Sequence, residues 1–113
     1  LHSFPTRRSS DLPAIRDGAN WHAFYGSEES DDLNARHVAG DICSRFFDIN
    51  GASVETNMSP KTLSIEMQRL KQARYSIGVA MGEAKYSGIL GALHGKYINC
   101  LVTNRETAEL LLK

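Results

Sequence analysis

Two apolar runs and the helical stripe between them most constrain the fold. Residues 75–80 and 97–102 read as strands. Ile77 and Val79 are the buried residues of the first, and Ile98, Cys100, Leu101 and Val102 make the second apolar. From Glu83 to about His94, the residues Tyr86, Ile89, Leu90 and Leu93 fall at i, i+3, i+4 and i+7, one core-facing helical stripe. Gly88 and Gly91 weaken that helix by about 1 kcal/mol each against Ala, tolerable where it lies close against a sheet. Gly95 is expected to end it at C′. A capping box, Thr103 at N-cap and Glu106 at N3, opens a last helix over 104–112. A further helix over 65–71, capped by Ser64, precedes the first strand. The order is helix–β–α–β–α. Strands that alternate with helices, and are too apolar to leave a face in water, predict an α/β fold with a parallel sheet covered by helices.

The first half is less patterned. Residues 13–29, punctuated by Pro13, Gly18, Asn20 and Gly26, read as a loop with one irregular turn. Ser30 is a candidate N-cap for a short helix to about His37, and Gly40 lies beyond its end. Residues 41–47 suit one strand buried on much of both faces, interrupted by Ser44 and Arg45, with Asp48 a possible partner for the arginine. Asn50-Gly51 fits a turn with positive φ, and a weak return strand follows near 52–56.

The chain has 113 residues, enough for one small domain or part of a larger one. With 42% hydrophobic and 23% charged residues it has the composition of an ordinary soluble globular protein. Its zero net charge gives no sign of nucleic-acid binding by this segment. There is no apolar run long enough to span a membrane, and no secretory h-region. Cys43 and Cys100 sit in apolar runs without C-x-x-C spacing and are expected to be buried free thiols. Residues 1–12 resemble a translated sequencing adapter, or else a disordered basic tail, and are set aside as without a native role. On that reading residues 13–113 are a fragment of a longer protein, truncated upstream, with 11 basic and 12 acidic residues.

The residues that could carry chemistry cluster after the strand at 75–80. In open α/β sheets, ligands bind outside the carboxyl ends of the strands. The turn Ala80-Met81-Gly82 and Lys85 fall there, so backbone N–H groups and the Lys85 ammonium could capture a phosphate. Lys85 could equally be a solvated lysine on an exposed turn. Neither G-x-G-x-x-G nor a P-loop is present. Asp41 is either an acceptor for sugar hydroxyls or a solvated strand-end carboxylate. His22, His37 and His94 lack metal-ligand spacing, and no nucleophilic arrangement can be argued, so no metal, cofactor or catalytic residue is expected.

Two stretches resemble a known family. Gly40-Asp41-Ile42-Cys43-Ser44-Arg45-Phe46-Phe47-Asp48, followed by Asn50-Gly51, resembles the G-D-[IV]-x-x-x-[FY]-F-[DN]-x-x-G segment of the SorC-type sugar-binding transcriptional regulators. Ile77-Gly78-Val79-Ala80-Met81-Gly82-Glu83-x-Lys85, through Ile89, Ala92-Leu93, Asn99 to Thr103 and Thr107-Ala108, is similar to that family's C-terminal signature. The resemblance implies the C-terminal part of a Rossmann-like, mostly parallel effector domain, similar in fold to sugar-phosphate isomerases. It implies a non-enzymatic, cytoplasmic regulator that binds a phosphorylated sugar, oligomerises when full length, and meets DNA only through an N-terminal helix-turn-helix outside this chain. Lys85 matches the lysine that reaches the effector phosphate, beside Ala80, Gly82 and Glu83, and Asp41 matches an acidic position that contacts sugar hydroxyls in some members. Met81 stands where the family often has a second glycine, and residues 20–27 lack an arginine-containing segment. The alternative is a phosphosugar isomerase or deaminase of the same fold, for which Glu83 is the one nearby candidate base.

Overall fold

The computed structural model describes residues 2–3 and 26–113; of the loop expected over 13–29, residues 13–25 lie outside the described residues, and residues 27–29 instead form the first turn of a helix. The elements are β1 (His2–Ser3), α1 (Ser27–Ala35), β2 (Gly40–Ile42), β3 (Arg45–Phe47), β4 (Ser53–Val54), α2 (Met67–Gln72), β5 (Ile77–Val79), α3 (Tyr86–His94), β6 (Cys100–Val102) and α4 (Arg105–Leu111). Short 3-10 turns occupy Ser59–Lys61 and Glu83–Lys85.

Among the described residues two three-stranded sheets form. One is parallel, in the order β1-β5-β6, and bears out the crossover predicted for the second half. The other is an antiparallel meander, β2-β3-β4, and corrects the single strand expected over 41–47. Ser44 and Arg45, read as interruptions, mark a reversal. Ile42 pairs with Arg45, so Cys43 and Ser44 form a two-residue hairpin loop, both at positive φ (53° and 65°). Such loops match the strand twist but demand left-handed backbone at both positions, which costs a non-glycine residue about 1–2 kcal/mol each. Arg45 turns to the loop before α2, where Ser64 Oγ and the Ser64 carbonyl accept from its guanidinium at 3.0 and 3.1 Å. Asp48 instead shapes its own turn, accepting from the N–H groups of Asn50 and Ala52.

Ser30 is not the cap of α1 but a buried residue within it, its N–H bonded to the Gly26 carbonyl. The helix closes on His37 at φ 56°, whose N–H reaches Asn34 O while Val38 N–H reaches Leu33 O, a Schellman closure. Helix α3 ends the same way one residue later than expected. Lys96 takes the positive φ (60°), with Lys96 N–H on Leu93 O and Tyr97 N–H on Ala92 O. Gly95 is small for a different reason: a Cβ there would run into the Tyr97 ring and the Gly51 carbonyl. The cap of α4 is Asn104, whose Oδ1 accepts from Thr107 N–H at 3.0 Å, rather than Thr103. Ser64 caps nothing either, since α2 begins at Met67 and leaves Ile65 exposed.

The main core joins both sheets through α3. Ile42 and Phe47 of the meander, Met67 and Leu70 of α2, Ala80 after β5, Ile89 and Ala92 of α3, and Tyr97 and Ile98 pack together. The buried face of α3 is Gly88, Ile89, Gly91 and Ala92, so its glycines face the core and its larger residues Tyr86, Leu90 and Leu93 are half-buried. The close approach that the glycines suggested is to the meander: Gly91 lies under the Asp48 carbonyl and the Phe47 ring. A second cluster, Leu33, Val38 and Phe46, holds α1 against the same meander. The opposite face of the parallel sheet is more open than expected. Ile77 and Val79 are half-buried, Cys100 and Val102 exposed, and Cys43 is exposed at the hairpin tip, so neither free cysteine is buried. Among the described residues no helix is long and apolar enough to cross a membrane.

Candidate functional site

The antiparallel hairpin and the head of α3 meet at Asp41. It is the middle residue of β2, opposite Phe46, and only 4% exposed. Gly40 beside it lies against the backbone of Gly88 in α3, where an added Cβ would come 3.0 Å from Gly88 Cα. That approach brings the Asp41 carboxylate within the field of Lys85, the last residue of the 3-10 turn leading into α3. Two residues 44 positions apart, chosen from sequence as the hydroxyl acceptor and the phosphate cation, thus share one corner.

The carboxylate is unevenly satisfied. Oδ2 accepts from the Ser44 N–H at 3.2 Å, a contact that depends on the left-handed hairpin tip. Oδ1 is buried and, among the described residues, has no hydrogen-bond partner. A buried acceptor left unpaired costs about 1–3 kcal/mol, and more for a charge. Burial accordingly pushes the Asp41 carboxyl up to about 7, against the lesser opposing effects of the Ser44 N–H and the Lys85 charge. The Cys43 thiol at the exposed tip is also pushed up, first by the partial desolvation of its inner side and second by the Asp41 charge.

The turn after β5 forms the other wall. Gly82 stands at φ 108°, with none of the described residues within 4 Å of where a Cβ would project, so the chain there is glycine for its conformation. Its N–H, expected to help hold an anion, is already donated to Thr107 Oγ1 at 2.8 Å, and its carbonyl accepts from Lys85 N–H. Gly82 therefore shapes the turn, and the first turn of α4 braces it. Ala80 lies beneath, buried in the core with its N–H on Val102 O. Glu83 is exposed at the start of the 3-10 turn, and Met81 is exposed at its lip. Two contributors escaped sequence reasoning: the Ser44 N–H and Thr107. Of these, Thr107 had a visible signal, a hydroxyl in the first turn of a helix that follows the neighbouring parallel strand.

A buried, part-ionised carboxylate with one unfilled acceptor position, next to a lysine and a glycine turn, can receive a hydroxyl at one end and an anion at the other. Among the described residues no three His, Cys, Asp or Glu side chains are grouped to hold a metal.

Comparison with known proteins gives a consistent result. The family model described as "Putative sugar-binding domain" matches residues 13–113. Over 101 residues the chain is 89% identical to the sorbitol operon regulator of Klebsiella pneumoniae, covering 89% of this chain and 32% of that protein. It is 42% identical over 88 residues to the deoxyribonucleoside regulator of Bacillus subtilis (strain 168), covering 78% of this chain and 28% of that protein. The crystal structure of the full-length sorbitol operon regulator SorC from Klebsiella pneumoniae matches with a TM-score of 0.83 at 88% identity, over 90% of this chain and 33% of that one. The chain spans about a third or less of the length of these relatives.

Proposed function

The chain belongs to the sugar-binding domain family, and on that footing we propose that it is the effector-binding portion of a sugar-responsive transcriptional regulator whose ligand is a phosphorylated sugar. Lys85 takes the phosphate beside the Gly82 turn, and Asp41 accepts a sugar hydroxyl on Oδ1. The observation that carries this reading is the buried Oδ1, without a partner among the described residues and within the field of Lys85, an acceptor that a polyol hydroxyl would satisfy. Ala80 and Glu83 line the same turn without direct roles.

The mechanism is a population shift. A full-length homo-oligomer in the cytoplasm binds DNA through a helix-turn-helix outside this chain, and the sugar phosphate binds one quaternary state better than another. The domain continues into a Rossmann-like, mostly parallel sheet of the sugar-phosphate isomerase type. Two features support that continuation: the half-open face of β5 and β6, and the outer edge of β5, which pairs even with His2–Ser3. The isomerase or deaminase alternative has less behind it, since the relatives named above are regulators and Glu83, its candidate base, is exposed.

Calorimetry on the full-length protein tests the site. Lys85→Ala should weaken sugar-phosphate binding at least tenfold, and unchanged affinity would remove Lys85 from it. Isomerase turnover that disappears in Glu83→Gln would overturn the regulator reading.

A further inference from the structure

We infer that effector binding at this corner releases a proton from Asp41, so that affinity for the sugar phosphate rises with pH through neutrality. The inference rests on the reading of the Asp41–Lys85 corner given above, and deepens it from a contact to a coupling. An ionised carboxylate can only accept hydrogen bonds. Oδ2 has the Ser44 N–H, whereas Oδ1 is enclosed with no donor among the described residues. Without a ligand the simplest remedy for that oxygen is a proton, and burial has brought the group to about 7, so that near pH 7 the proton is held half the time. A ligand hydroxyl on Oδ1 does the same work from outside. It keeps its own proton, donates a hydrogen bond, and favours the ionised form, so the proton on Asp41 leaves to solvent.

The groups facing Asp41 decide whether this direction holds. From the head of α3 comes the Lys85 charge, which favours ionisation. From the hairpin tip come the Ser44 N–H, which also favours it, and the Cys43 thiol, itself pushed up partly by Asp41. Across the hairpin stands Phe46, which carries no charge. A phosphate held by Lys85 draws its field away from Asp41 and opposes release. The phosphate's own negative charge opposes release as well; the hydrogen bond to the enclosed Oδ1 has to outweigh both, which the sign of the proton balance reads out. The hydroxyl bond acts on the buried oxygen itself.

The test is calorimetry of the full-length protein at pH 7 in two buffers of different ionisation enthalpy. The probes are sorbitol 6-phosphate, deoxyribose 5-phosphate and fructose 6-phosphate, with inorganic phosphate as control. A group titrating near 7 that becomes ionised on binding releases about half a proton per ligand at pH 7, and affinity falls towards tenfold per pH unit below about 6.5. The phosphate itself, with a second pKa of about 6, contributes only about a tenth of a proton there. That smaller release should persist in Asp41→Asn while the rest disappears and the pH profile flattens. The wild-type buffer comparison needs no variant to be decisive. A release no larger than the phosphate's own, or net uptake, overturns the inference and leaves the site standing. Failure of every probe to bind removes the site reading, and the inference with it.

Discussion

Gly91→Ala sets two physical effects of opposite sign against each other. In an isolated helix, replacing glycine by alanine stabilises by about 1 kcal/mol, because glycine loses more backbone entropy on folding. Gly91 lies in the interior of α3, so propensity alone predicts a more stable protein. The packing says otherwise. A Cβ built on Gly91 would lie 2.5 Å from the Asp48 carbonyl oxygen and 2.9 Å from the Phe47 ring. Neither neighbour can easily give way. Phe47 is fully buried against Tyr97, with ring centroids 5.6 Å apart. The Asp48 carbonyl accepts from Gly51 N–H at 3.0 Å, and Gly51 is itself held at φ 88° hard against Gly95. Overpacking of this kind typically costs about 1–3 kcal/mol. With a backbone atom as the obstacle, the upper half of that range applies, and the net effect is a loss of about 1–2 kcal/mol. For a domain of this size that lowers Tm by roughly 5–10 °C. Thermal or urea unfolding of the chain and its Gly91→Ala variant gives the answer directly. A variant as stable as the parent, or more so, would refute the close packing of α3 on the meander. That contact also sets the spacing of Lys85 and Asp41, so the same variant should weaken effector binding in the full-length protein.

Two further outcomes follow from single contacts. Asn104→Ala removes the acceptor that caps α4 and should cost about 1 kcal/mol. Thr103→Ala, the residue the capping-box pattern favours, should cost much less because its hydroxyl has no partner; equal losses in urea unfolding would mean the cap is misassigned. Asp41 also makes stability depend on pH. Its folded pKa lies above the unfolded value, so the contribution is fully present below about 4 and is lost as pH rises to about 7. The slope over that window is about 1.4 kcal/mol per pH unit at most. Asp41→Asn should therefore gain on the parent between about pH 4 and 7 when urea midpoints are compared, and a constant difference over that window would show that the carboxyl is not perturbed.

The second half of the fold was legible because its signal is periodic. An apolar strand, a stripe at i, i+3, i+4 and a second apolar strand leave few arrangements, and the parallel β5–β6 pair follows. The meander was hidden because its turn uses Cys43 and Ser44, which carry no turn signature, where Asn-Gly would have announced a hairpin. Helix ends erred for a related reason. His37 and Lys96 take the left-handed positions that sequence reading reserves for glycine, while Gly95 is glycine for want of space. The candidate site was legible as residue types but not as geometry. Nothing in Asp41 or Lys85 alone says that one buried oxygen lacks a donor, since that depends on the hairpin, the head of α3 and their contact at Gly40 and Gly88.

The costs at this corner lie close together. Cys43 and Ser44 adopt backbone that their side chains disfavour, and that backbone presents the Ser44 N–H to Asp41. The carboxylate so held is enclosed, with no donor for Oδ1 among the described residues. A protein selected only for stability would lose both costs by placing Asn-Gly at the tip and an apolar residue at 41. Strain and unpaired polarity persist together where binding recovers them. On the reading proposed here, a sugar hydroxyl supplies the absent donor and the phosphate meets Lys85. With and without ligand the corner then differs by a desolvated charge as well. Such a difference is large enough to bias a quaternary equilibrium, because a ligand shifts two states only by its differential affinity for them. A hairpin that fits Asp41 against α3 in one state and loosens it in the other would give that differential. Replacing Cys43-Ser44 by Asn-Gly should accordingly stabilise the domain while leaving the Asp41 contact intact. If it also abolished effector control of DNA binding in the full-length protein, the tip's strain would belong to the switch itself.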